Sequence, residues 1–188
     1  MKRFNLGHVL LLSYVISTFS EGVILPVYAI FVQGIGGNVL DAGIAMGIFL
    51  AFDGIFTFFI HNKKKKRTHK QRIKIMIEGW FVWLVGISFY LVISNKWTLF
   101  AAQIFIALGN ALADPVYDEE FSDNASKLDP EKEWGLFEGG KSIVGGISAV
   151  AGGAIVAVFG FNVLIYTMVV TATISCILVV YYVKKVKK

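Results

Sequence analysis

The chain has 188 residues, 56% hydrophobic and 16% charged, with a net charge of +5 and a mean hydropathy of +0.67. This balance lies outside the range of soluble globular domains and predicts an all-α polytopic membrane protein. Once the apolar runs are assigned to spans, little of these 188 residues is left over, so no soluble catalytic domain is expected within them.

A hydrocarbon core of about 30 Å needs about 20 apolar residues per helix, and on that measure the first span is expected over residues 8–32. The opening MKRF followed by an apolar run has the pattern of a targeting segment. The run is too long for a signal core and no A-x-A site follows it, so it is read as a retained helix. Tyr14, Ser17, Glu21 and Tyr28 are spaced to share one face of this helix. An ionised carboxylate at mid-membrane costs about 2.5–3.5 kcal/mol on the insertion scale and must find a watery cavity, a partner or a proton. Glu21 is therefore expected to bind a cation or cycle a proton; the alternative is an interhelical hydrogen bond that only holds helices together.

The second span, 39–60, carries Asp53, a further candidate for proton or cation coupling. The basic loop 61–73 follows, with Lys63, Lys64, Lys65 and Lys66 at its centre. A basic loop beside a span is the ordinary topology signal and meets anionic lipid, so no nucleic-acid partner is expected. His8, His61 and His69 fall near the same boundary and are read as solvated. The third span is expected over 74–94, with Tyr90 and Trp97 near one boundary as an aromatic belt and Trp134, Tyr181 and Tyr182 near the other.

In the fourth span, 97–118, Gln103, Asn110, Asp114 and Tyr117 share a face. A shift of 89 residues maps Tyr14 onto Gln103, Glu21 onto Asn110 and Tyr28 onto Tyr117, and superposes Pro26-Val27-Tyr28 on Pro115-Val116-Tyr117. Since the two spans run in opposite directions, the six helices are expected to form a 3+3 inverted repeat. The acidic loop 119–130 faces the same side as the basic loop, and the two can latch. Asp129 and Pro130 read as a cap and first residue of the fifth span, 131–159. Glu138 and Lys141 lie near its start, at a depth similar to Asp114; with Lys63 to Lys66 they are expected to form a cytoplasmic gate. Glycines at 139, 146, 153 and 160, with 145 and 152 beside them, give this helix a smooth packing face. FGFN at 159–162 is the expected turn into the sixth span, 162–183, where Cys176 reads as a small apolar packing residue. Nearly all the Lys and Arg then fall on one side, which places both termini in the cytoplasm.

Taken together, the chain resembles half of a major facilitator superfamily transporter: six spans, a basic loop after the second, a longer loop after the fourth, a glycine-rich fifth. The loop signature Gly-x-x-x-Asp-Arg-x-Gly-Arg-Arg falls on TFFIHNKKKK, with His61 and Asn62 in place of Asp-Arg. The antiporter signature Gly-x8-Gly-x3-Gly-Pro-x2-Gly-Gly meets Gly135, Gly152 and Gly153, but Val144, Ser148 and Ala149 elsewhere. The resemblance implies that the first and fourth spans line a central cavity and that Glu21 looks like the coupling acid of proton-linked members. The implied function is proton-coupled secondary transport of a small organic solute or drug, by alternating access in a parallel homodimer within the cell membrane. The alternative is a non-transporting scaffold or a split subunit that needs a different partner half. No catalytic residue, metal or cofactor is expected, since neither H-E-x-x-H nor G-x-S-x-G occurs. The expected partners are a small-molecule substrate, membrane lipid and a second six-helix half.

Overall fold

The computed structural model describes residues 2–62, 67–124 and 130–186, and the described residues form an all-helical chain. Among the described residues, five helical stretches are long and apolar enough to cross a membrane. The first span, which its hydropathy predicts as one helix, is two: α1 (Lys2–Gly22) and α2 (Tyr28–Gly34), joined by a 3-10 turn at Leu25–Val27. Pro26 lacks an N–H and its ring collides with the carbonyl four residues back, so α1 ends at Gly22.

Helix α3 (Val39–His61) begins at a capping box. The Asp41 amide donates to Asn38 Oδ1 and the Asn38 amide to Asp41 Oδ2, each at 3.0 Å. A second box, Thr68 with Gln71, starts α4 (His69–Ser88) inside the segment that its charge assigns to loop 61–73. Asn95 Oδ1 accepts the amides of Trp97 and Thr98 and starts α5 (Lys96–Asn124). This helix runs on through residues 119–124, the first part of the expected acidic loop, because charge ends an apolar run without ending a helix. The last helical stretch, α6, spans Pro130–Val186 and is interrupted at Gly160, whose φ of 80° and ψ of 177° suit only glycine. Its 57 residues, at about 1.5 Å each, would far exceed a core of about 30 Å if unbroken. The break falls within the expected turn FGFN.

The chain divides into two compact units, residues 1–26 with 118–188, and residues 27–117. In the first unit α1 packs on both arms of α6. Ser20 Oγ donates to the Met168 carbonyl at 2.8 Å, and Ser175 Oγ to the Ser13 carbonyl at 2.6 Å. Seven residues forward in α1 match seven backward in α6, so these segments are antiparallel. On the other arm, a β-carbon at Gly152 would overlap the Val23 backbone, and one at Gly22 the Ser148 side chain. Of the expected glycine face only Gly152 is used in this way; Gly139, Gly145, Gly146 and Gly153 meet nothing within 4 Å among the described residues.

In the second unit α5 packs antiparallel on α4 through the pairs Gly79–Ala113, Trp83–Gly109 and Gly86–Ile106. It lies alongside α3, tied at one end by the Lys96–Asp41 ion pair at 3.0 Å. Each unit therefore sets one stripe-bearing helix against two others, using small residues for close approach. Every buried position from Leu10 to Val32 falls, 89 residues on, upon a buried position between Leu99 and Phe121, except Val23, whose counterpart Leu112 is half-buried.

Candidate functional site

Glu21 stands at the midpoint of the first apolar stretch, His8–Gly34, in the last turn of α1. It is half-buried, one residue before the helix ends. A helix C-terminus presents carbonyls that lack intrahelical partners and carries the negative end of the macrodipole. The acid thus stands on the last turn of a helix that ends inside the apolar stretch.

Along the same helix, Ser17 is buried and donates to the Tyr14 carbonyl at 2.8 Å. The Tyr14 ring lies 5.2 Å from Phe137. Lys141 Nζ stands 5.3 Å from the Tyr14 ring centroid and 5.2 Å from that of Phe137, while pairing with Glu138 at 3.1 Å. Glu138 is mostly exposed and Lys141 only partly so, so the pair is a surface bridge with an aromatic floor. The charges of Lys141 and Glu138 also act on Asp118, four residues beyond the Asp114 of the expected cluster. The remaining gate lysines, Lys63, Lys64, Lys65 and Lys66, together with Asp129, lie outside the described residues.

In the second unit three polar side chains meet. The Gln103 amide donates to Tyr28 Oη at 2.7 Å and to Tyr90 Oη at 3.1 Å, and all three residues are buried. Sequence spacing brings Tyr28 and Gln103 to one site. It does not bring Tyr90 there, since an aromatic residue near the end of a span reads as a boundary anchor until its hydroxyl partner is seen. Trp97, by contrast, is 70% exposed. Asn110 and Asp114 are half-buried on α5, and Tyr117 is fully buried. Asp53 is half-buried on α3, where no residue between Met46 and His61 is buried.

Three further residues depart from the sequence reading. Tyr182, whose position suits a boundary belt, is buried and donates to Glu120 Oε2 at 3.4 Å. Glu120, within the expected acidic loop, is a buried helical residue. His61, expected to be solvated, is half-buried; its Nε2 lies 2.9 Å from the Ala111 carbonyl and its Nδ1 3.3 Å from Arg67 Nη1. Cys176 is buried, in keeping with a packing role. No group of three or more metal-ligating side chains occurs among the described residues.

A family model described as Major Facilitator Superfamily matches residues 10–188 of this chain. No curated protein matches it.

Proposed function

The chain belongs to the major facilitator superfamily, a family of secondary transporters, and from that premise we propose that it is a proton-coupled transporter of a small organic solute or drug. The observation that carries the reading is the position of Glu21, at mid-span in the last turn before the break in the first span. Discontinuous membrane helices bring unpaired carbonyls and helix ends to the midplane, where transporters hold substrate and coupling ions. An acid there is costly unless it works.

The working unit in this reading is a parallel homodimer of six-helix halves, both termini cytoplasmic, moving by alternating access. The 188 residues fit one half, with the two arms of α6 counted as separate spans. Asp53 supports a second copy: α3 is the least buried of the apolar helices, and among the described residues Asp53 has no hydrogen-bond or ion-pair partner. The matched burial of the first span and α5, and the way each packs on two other helices, support the 3+3 inverted repeat. Cavity-lining roles for Tyr14, Asn110 and Asp114, which keep some exposure, belong to the same reading, while Ser17, Tyr28, Gln103 and Tyr117 are buried within the chain and would support that wall from behind.

The test uses protein reconstituted into liposomes holding a pH-sensitive dye, screened with organic solutes under an imposed proton gradient. Wild type is expected to move protons in step with a transported solute. Glu21→Gln is expected to insert and assemble but lose the coupled flux, and unchanged flux would remove Glu21 from the mechanism. A particle mass of one chain, after subtracting lipid and detergent, overturns the homodimer; co-purification of a different six-helix chain supports the split-subunit alternative instead.

A further inference from the structure

Pro115 sits inside α5, which continues through it from Lys96 to Asn124. In any α-helix the carbonyl of a residue accepts the amide four positions on, and proline has none to give. The Ala111 carbonyl is therefore orphaned by Pro115. It sits within apolar chain, where neighbouring side chains must supply the missing donor. His61, the last residue of α3, does so through Nε2 at 2.9 Å.

The rest of the imidazole is equally constrained. Arg67 Nη1 lies 3.3 Å from His61 Nδ1, and a guanidinium can only donate. Nδ1 must accept, so the ring is the neutral tautomer with its proton on Nε2, the one that can donate to Ala111. Arg67 Nη2 donates to the Ile60 carbonyl, which anchors the guanidinium at the end of α3. The chain Arg67–His61–Ala111 thus has one consistent direction of donation and ends on the carbonyl that Pro115 leaves open.

We propose that α5 is a proline hinge kept as one continuous helix by His61, and that loss of the His61–Ala111 hydrogen bond is what lets the helix bend further at Pro115. Arg67 is the positioning residue that fixes the tautomer. The first span shows what a proline does at the corresponding place without such a donor described: the helix stops. The device joins the end of α3 to the middle of α5, so a displacement at one is felt as a bend in the other. It stands whether or not the chain transports protons.

The experiment uses the full chain in lipid nanodiscs, with Cys176→Ser and spin labels on the exposed positions Phe105 and Ser122 either side of Pro115. Seventeen residues of helix at about 1.5 Å each put the labelled positions roughly 25 Å apart. Wild type is expected to give one narrow distance and His61→Ala a shorter and broader distribution. His61→Ala combined with Pro115→Ala is expected to give the narrow distance again, since an alanine at that position restores the amide. An unchanged distribution in His61→Ala, or no recovery in the double variant, overturns the hinge. Melting temperature gives a readout that survives a poorly folded variant. His61→Ala is expected to lower it when Pro115 is present and to leave it unchanged when Pro115→Ala is already in place, while His61→Gln, which keeps a donor, loses less. Equal losses in both backgrounds would mean that His61 acts elsewhere, and would overturn the proposal.

Discussion

The same three residues, Pro-Val-Tyr, occur in the first span at Pro26 and in α5 at Pro115, and the chain does opposite things at the two. At Pro26 the α-helix ends four residues earlier, a 3-10 turn intervenes and a new helix begins at Tyr28. At Pro115 the helix is uninterrupted. What differs is a neighbour: His61 gives the Ala111 carbonyl the donor that proline withholds. A proline in a membrane helix thus becomes a break or an ordinary turn according to whether a side chain from another helix completes the hydrogen bonding. The broken helix carries the carboxylate, Glu21, while the intact one carries an amide, Asn110, at the matching position.

The largest way to break this contrast is chemical. Glu21→Gln gives both helices an amide at mid-span, and coupled flux is expected to fall below detection in the dye-loaded liposomes. Asn110→Ala, in the helix without a break, is expected to slow it by less than about tenfold, the effect of losing about 1 kcal/mol of net hydrogen bonding.

Next comes the packing that receives the broken segment. Val23, just past the end of α1, lies against Gly152, where a β-carbon would overlap the Val23 backbone. Gly152→Val is expected to cost about 3 kcal/mol or more, since backbone cannot yield as a side chain does. Gly153→Val, with open space around it, is expected to stay within about 0.5 kcal/mol. Thermal unfolding of the two variants side by side would show whether the break is wedged in place by Gly152 alone.

Gln103→Leu sharpens the comparison from the other side, since it removes the donor shared by Tyr28 and Tyr90. Two buried hydroxyls then lose a partner, at an expected cost of about 1–3 kcal/mol by the same measurement. The smallest effect is reserved for Glu138→Gln. Its bridge to Lys141 is solvent-exposed on the carboxylate side, and the expected change in stability is within about 0.5 kcal/mol. A large loss there would promote the pair from surface bridge to structural lock.

Much of this molecule is legible in its sequence because hydropathy and helical spacing are local. The apolar runs and the turn around Gly160 follow from residues close in sequence or alike in period, whereas the bond between Gln103 and Tyr28 does not, since the 89-residue shift sets Tyr28 against Tyr117 and Gln103 against Tyr14. That the helix continues through Pro115 is not legible, because the carbonyl that Pro115 leaves open is served by His61, fifty residues away. Tyr90 and Tyr182 mislead for a related reason: their rings fit a boundary belt, and their hydroxyl partners lie on other helices. Hydropathy sets the end of α5 too early because an apolar run marks depth in the membrane, whereas a helix persists until something breaks it. Glycine spacing shows that a smooth face exists on α6, but which glycine is used depends on where α1 crosses it.

The bond between Ser175 and Ser13 closes a separation of 162 residues. Ribosomes add roughly 5–20 residues per second, so α1 waits on the order of ten to thirty seconds for the arm that covers it. Residues 27–117, by contrast, form a compact unit whose helices have all been made once α5 emerges. Helix α1 is thus covered by this arm only late in the chain's synthesis. During that interval Ser20 and the Ser13 carbonyl lack the α6 partners they hold in the finished fold, so a substitution on this face of α1 acts on biosynthesis as well as on the finished fold.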